Sequence, residues 1–206
     1  MSIISMRKPN VGSSFSPSSY TAYFHLLRRY WNDWKTVSDI LETSLDDTKN
    51  LASTFRDKSL YRGVYKPLRN PDHHKGCLLY VLCKVLKPAI VVETGVSHGH
   101  STVGILSALN DIGSGKLISI DLPNATYYKD TGDSWHDPKP SYGVGWLVPE
   151  AFKPRWELLL GSSRTLLPQL ITCVSAVDLF YHDSEVGDWN SNEYNTTGRQ
   201  EIFSGS

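Results

Sequence analysis

The chain has 206 residues, of which 40% are hydrophobic and 20% charged, and its 21 basic residues are balanced by 21 acidic ones. That length suits one domain with extensions rather than two full domains, and it is enough to bury a core. A net charge of zero argues against a surface built to grip phosphates, so a nucleic-acid partner is not expected.

Residues 1–19 are rich in Ser and Pro and predict a disordered segment without the continuous apolar core of a leader peptide. From Tyr20 to about Phe55, the residues Tyr23, Leu26, Leu27, Tyr30, Trp31 and Trp34 recur at near-helical spacing. This predicts one or two amphipathic helices packed on the domain, which also offer a surface for an oligomer. Residues 56–72 are basic and loop-like, with Pro67 and Pro71 as breakers. Residues 20–72 are therefore expected to form a helical extension.

After that extension the pattern changes. His73 to Leu86 reads as a mostly buried helix closed by Lys87 and Pro88. Ala89 to Glu93 is a short β-branched run that suggests a central parallel strand. A tight loop at residues 95–99 leads into a helix over Ser101 to Asn110, closed by Gly113 and Gly115. Leu117 to Asp121 is a second buried strand, followed by a long connection rich in Pro, Gly and aromatics. Trp156 to Leu160, Arg164 to Ile171 and Val177 to His182 complete the series as strand, helix and strand. Such alternation implies an α/β, Rossmann-like doubly wound sheet, mostly parallel, over residues 73–184.

No stretch approaches the roughly 20 apolar residues of a membrane span. The three cysteines, Cys77, Cys83 and Cys173, form no CxxC pair, so they read as buried small hydrophobes. Two glycosylation sequons, at Asn124 and Asn195, read as chance. A cytoplasmic location is expected by default.

The segment that carries chemistry is Glu93-Thr94-Gly95-Val96-Ser97-His98-Gly99-His100-Ser101, between a strand and a helix. Glycine allows the sharp turn at a strand's carboxyl end and lets a ligand approach the backbone. The amides that open the next helix attract an anionic group. A dinucleotide loop would place its glycines as G-x-G-x-x-G to cradle a pyrophosphate, whereas position 97 here is Ser. A ligand with a carboxylate, an ammonium, a ribose diol and an adenine suits the looser spacing. Glu93 at the strand tip suits the ammonium, and Asp121, ending the second strand, can accept both ribose hydroxyls.

Glu93 to Ser101 resembles the first motif of class I S-adenosylmethionine-dependent methyltransferases, in the form found in the catechol O-methyltransferase-like branch. The helix and strand before it, GCLLYVLCKVLKPAIVVETG, are similar to the same families. Residues 161–170 resemble their third-strand segment, and Val177 to Ser184 their fourth strand. The resemblance implies S-adenosylmethionine as cofactor. It places Glu93, Gly95 and Gly99 at the methionine end, Ser97 and Ser101 in the same loop, Asp121 on the ribose, and Ser162 and Ser163 at the adenine edge. It also implies an Asp near the reacting centre, which is Asp183, with His182 as a second candidate base. That branch uses the aspartate in an Mg2+ site whose other ligands come from a later strand. No counterpart of that strand is found after Ser184, so no metal site is expected.

The expected function is methyl transfer to an oxygen or nitrogen of a small molecule. His98, His100, His136 and Asp137 are further polar candidates, and Trp135, Tyr142 and Trp146 could line an acceptor pocket. The irregular tail, residues 185–206, matches nothing in the family. The sheet is therefore expected to be incomplete at its C-terminus, with about four strands and one edge bare. This leaves an inactive remnant or interaction protein as one alternative. A nicotinamide-dependent oxidoreductase with the same nucleotide-binding layout is the other.

Overall fold

The computed structural model describes residues 2–7, 20–26, 33–61, 72–123, 143–174 and 176–183. Six strands form one sheet: β1 (Ser2–Arg7), β2 (Tyr20–Leu26), β3 (Ile90–Thr94), β4 (Lys116–Asp121), β5 (Trp156–Leu160) and β6 (Leu179–His182). Their order across it is β2-β1-β6-β3-β4-β5. The four strands β6, β3, β4 and β5 are parallel, as the alternation of strands and helices requires. The helices are α1 (Trp34–Ile40), α2 (Leu45–Asp57), α3 (Asp72–Leu86), α4 (His100–Ile112) and α5 (Ser163–Cys173), with a 3-10 turn over Glu150–Arg155.

Strand geometry sends successive side chains to opposite faces, and here both faces are covered. Val91, Leu117, Leu179 and Tyr181 pack under α3 and α4, in one cluster with Phe55 of α2. Val92, Ile118, Ile120 and Phe180 pack instead against Leu167 and Leu170 of α5. Burial on both sides explains why the parallel strands read as nearly continuous apolar runs. The helix ends follow from local chemistry. The Ser44 hydroxyl accepts the Asp47 amide at 3.0 Å to start α2. Gly113, at φ 80°, ends α4.

The N-terminal region departs from the sequence reading. Residues 2–7, within the segment expected to be disordered, form β1, and residues 20–26, expected to be helical, form β2. β1 pairs antiparallel with β2 and also with β6, from Ile3 opposite His182 to Met6 opposite Leu179. The outer edge of β6, expected to be bare, is therefore paired. An open strand edge offers a row of unpaired amides and carbonyls, and closing it outweighs the weak helical spacing. Tyr, Thr and Phe are also good strand formers. Among the described residues the first helix begins at Trp34, which packs against the core. Cys77 and Cys83 are buried as expected, whereas Cys173 is exposed.

Two features of the core are demanding. A Cβ on Gly104 of α4 would lie 2.3 Å from the carbonyl oxygen of Gly76 in α3. The two helix backbones thus touch where both glycines lack side chains. The second feature is Glu93, a fully buried carboxylate. It accepts hydrogen bonds from Ser101 Oγ at 2.5 Å, Thr102 Oγ1 at 2.8 Å and Ser119 Oγ at 2.8 Å. Ser119 Oγ in turn accepts from Trp156 Nε1 at 2.9 Å. One carboxylate thereby ties β3 to the first turn of α4, to β4 and, through Trp156, to β5. Burial pushes its carboxyl up to about 7, against the opposing pull of the three hydroxyl donors.

Gly104→Ala is expected to destabilise the fold by about 1–3 kcal/mol in urea unfolding, because it overpacks a backbone contact. Gly113→Ala, which meets open space, should cost only the left-handed backbone term of about 1–2 kcal/mol. For Glu93, the folded chain keeps a proton between pH 4.5 and about 7 that the unfolded chain has released. Its contribution is fully present below that window and lost as pH rises through it. Glu93→Gln should therefore gain stability relative to the wild type between pH 5 and pH 8, by on the order of 1–3 kcal/mol. A difference in urea midpoint that stays constant with pH would exclude Glu93 as the source.

Candidate functional site at the carboxyl rim of the sheet

The chain runs outward through β3, β4 and β5, then returns to the other side of β3 with β6. A doubly wound sheet opens a ligand crevice where the strand order reverses, at the carboxyl ends. Here that point lies between β3 and β6, and the loop of residues 95–99 sits on it.

The loop is shaped by left-handed backbone at Gly95 (φ 85°), Ser97 (φ 50°) and Gly99 (φ 97°). Gly95 donates to the Ile120 carbonyl at 3.0 Å, and Gly99 to the Val96 carbonyl at 2.8 Å. Asp121 closes the arrangement. Its Oδ2 accepts the amides of Val96 at 2.9 Å and Ser97 at 2.6 Å, and its Oδ1 accepts the Leu122 amide at 2.7 Å. Gly95 and Asp121 thus share one rim, joined through the loop that Asp121 holds.

Next along the rim is β5. Leu160 lies opposite Asp121 in register and is 53% exposed, unusual for a leucine at a strand end. Gly161 donates to the Asp121 carbonyl at 2.8 Å. Ser162 holds the N-cap position of α5 without a capping bond from its side chain, and Ser163 opens the helix. A carboxylate, an apolar surface and a helix N-terminus therefore follow one another. Leu160 was not singled out from the sequence, because an exposed apolar strand end looks there like any core residue.

Three expected site groups face the interior instead. Glu93 and Ser101 bond to each other on the face covered by α4, so neither points to a ligand at the rim. His182 lies on the opposite face, only 3% exposed, with Nδ1 2.6 Å from Thr94 Oγ1 and its ring stacked near Phe180. Strand parity decides Glu93 and His182, and Ser101 sits in the first turn of α4, over Glu93.

Asp183 lies just beyond β6. Its amide donates to the Thr94 carbonyl at 2.9 Å, immediately before the glycine loop. Its Oδ2 accepts from Lys75 Nζ at 2.7 Å and from Tyr181 Oη at 2.8 Å. Lys75 was missed from the sequence. It lies 108 positions away, and only the packing of α3 over β6 brings the two together.

Residues 143–149, which end the long connection, dock on the glycine loop. Gly145 donates to the Ser97 carbonyl at 2.8 Å and Leu147 to the His98 carbonyl at 3.1 Å. A Cβ on Gly145 would lie 2.3 Å from Trp156 Cη2, so only glycine fits this approach. Trp146, 44% exposed, stands edge-on to His98, which stands edge-on to His100. Trp135, His136, Asp137 and Tyr142 lie outside the described residues. Among the described residues no group of three or more His, Cys, Asp or Glu could hold a metal ion, and no helix is long and apolar enough to cross a membrane.

Known proteins supply the remaining comparison. Solved structures similar to this chain include the SAH-bound methyltransferase PaMTH1 of Podospora anserina (13% identity, 76% of this chain and 65% of that one, TM-score 0.43). The O-methyltransferase from Bacillus cereus in complex with SAH matches at 15% identity over 72% of this chain and 58% of that one, TM-score 0.34. A structure described as cmcI-N160 SAH matches at 16% identity over 62% and 54%, TM-score 0.35. The chain thus spans between 54% and 65% of the length of these three proteins. No curated protein matches it. The family described as "Methyltransferase domain" matches residues 92–197, from β3 past Ser184 and over a little more than half of the chain. The chain belongs to this methyltransferase domain family.

Proposed function

We propose that the chain is an S-adenosylmethionine-dependent methyltransferase acting on an oxygen or nitrogen of a small molecule. One observation carries the reading within the family: Asp121 and the loop of residues 95–99 meet at the carboxyl rim, through hydrogen bonds of 2.6 and 2.9 Å.

The groups present suit the cofactor. A carboxylate at the end of the second parallel strand accepts ribose hydroxyls, and each of its oxygens carries more than one lone pair. Leu160 gives the adenine an apolar neighbour, and Ser162 and Ser163 give it hydroxyl partners. The first amides of α4, after Gly99, favour the carboxylate of the methionine end. Glu93 serves this site from behind, by fixing the first turn of α4 through Ser101 and Thr102.

When bound, S-adenosylmethionine supplies an electrophilic methyl group on sulfur. What the chain must add is alignment of the acceptor along the carbon–sulfur axis and removal of the acceptor's proton. Asp183, beyond β6 and bonded to Thr94 just before the loop, is the candidate to take that proton. A cytosolic location suits the buried Cys77 and Cys83. Burial raises both thiols, Cys77 to about 11, which keeps them protonated.

Calorimetry with S-adenosylhomocysteine tests the reading. The wild type is expected to bind, and Asp121→Ala to lose about tenfold or more in affinity, as removing a hydrogen-bonded charged partner does. Gly113→Ala, remote from the rim, should bind as the wild type. Absence of binding by the folded wild-type chain would sink the assignment.

A further inference from the structure

The glycine loop is held at both ends of its peptide groups. Asp121 accepts the amides of Val96 and Ser97. Residues 143–149, which end the connection from β4 to β5, donate to the carbonyls that follow: Gly145 to Ser97 at 2.8 Å and Leu147 to His98 at 3.1 Å. The approach is close, since a Cβ on Gly99 would stand 3.2 Å from both Gly145 Cα and Val148 Cγ2. Trp156 of β5 seats this segment. A Cβ on Gly145 would lie 2.3 Å from Trp156 Cη2 and 3.0 Å from Cζ2, so the backbone at Gly145 lies against the edge of the indole ring. Val148, buried, anchors the segment in the core cluster that Trp156 also packs against. Trp156 reaches the loop by a second route. Its Nε1 donates to Ser119 Oγ at 2.9 Å, and Ser119 donates to Glu93, which holds Ser101 and Thr102 in the first turn of α4. One indole thus backs both the carbonyls of residues 97–98 and the helix turn that follows Gly99. Ser97 needs such support, because its left-handed backbone (φ 50°) is unfavourable for a residue with a side chain.

We propose that residues 143–149 are a strap that holds the glycine loop in its cofactor-binding form, with Trp156 as the positioning residue that seats the strap. The inference rests on the cofactor reading given above. Trp156 acts without touching the cofactor. A loop whose carbonyls lose their donors samples other conformations, and its affinity falls with the fraction of molecules left in the binding form. The coupling runs both ways: a ligand that binds only the strapped loop must hold the strap down by the same factor.

Hydrogen exchange and calorimetry on the full chain, with S-adenosylhomocysteine as the probe, test the strap. Saturating ligand is expected to slow exchange at the Gly145 and Leu147 amides by about tenfold, and at Gly113, beyond the far end of α4, by much less. Gly145→Ala should weaken binding by about tenfold. Gly113→Ala, which adds left-handed strain in open space, should keep wild-type affinity. Adding Trp156→Phe to Gly145→Ala removes the ring edge that the new methyl group meets, and should recover about threefold of the lost affinity. A purely structural Trp156 would instead lower the urea midpoint of these variants without moving the affinity of the folded protein. Should Gly145→Ala fail to fold, exchange on the wild type decides alone. The strap is overturned if Gly145→Ala binds as the wild type, if Trp156→Phe brings no recovery, or if the ligand slows Gly145 and Leu147 no more than Gly113. A wild type that binds no S-adenosylhomocysteine removes the cofactor reading itself, a result distinct from each of these.

Discussion

The rim depends on one bond set, the grip of the Asp121 carboxylate on the amides of Val96 and Ser97. Those amides leave β3 pointing toward β4, and without an acceptor between the strands they would be stranded at a partly buried turn. Ser97 holds a left-handed backbone that costs a non-glycine residue about 1 kcal/mol or more. The cost is met from both sides of the residue: its amide donates to Asp121, and its carbonyl accepts from Gly145. The turn is therefore set by the strand next to it and by the segment docked above it, as well as by its own glycines.

Parity along the strands divides the polar groups into two classes. Glu93 and Ser119, together with Ser101 of α4, form a closed hydroxyl–carboxylate network under α4. Thr94 and His182 form a smaller pair on the opposite face. Both sets stiffen the strands whose tips bear the site, yet neither reaches the crevice. The groups at the carboxyl rim come from positions just beyond the strand ends, where the chain turns out of the sheet: Asp183, Ser162 and the loop of residues 95–99. The Glu93 network, with both carboxylate oxygens hydrogen-bonded, is a rigid support for exposed groups nearby.

Much of this was legible in the sequence. The strand–helix alternation from Ile90 to His182 is a periodicity signal, and it marks the elements to within a residue or two. That Gly95 and Asp121 share one rim also follows from topology, because adjacent parallel strands end together. What could not be read depends on distance along the chain or on parity. Tyr23, Leu26 and Trp34 fit a helical repeat, yet the chain places the first two in β2, where an unpaired edge of β6 decides the outcome through β1. Lys75 carries no local mark that would send it to Asp183. Glu93 sits at the right place in the motif, but its face is fixed by which neighbour is odd and which even. A strand boundary shifted by one residue reverses that assignment.

The pairing of Ile3 with His182 has a consequence for how the chain acquires its shape. During synthesis β1 and β2 are made well before β6, the strand that β1 must flank. A two-stranded hairpin alone is marginal in water, so these segments wait as an unsatisfied ribbon while the parallel core assembles behind them. Closing that long loop adds a contact of very high sequence separation, which slows folding and leaves a sticky edge exposed meanwhile. In this protein β1 and β2, made ahead of the parallel core, are therefore expected to settle after it.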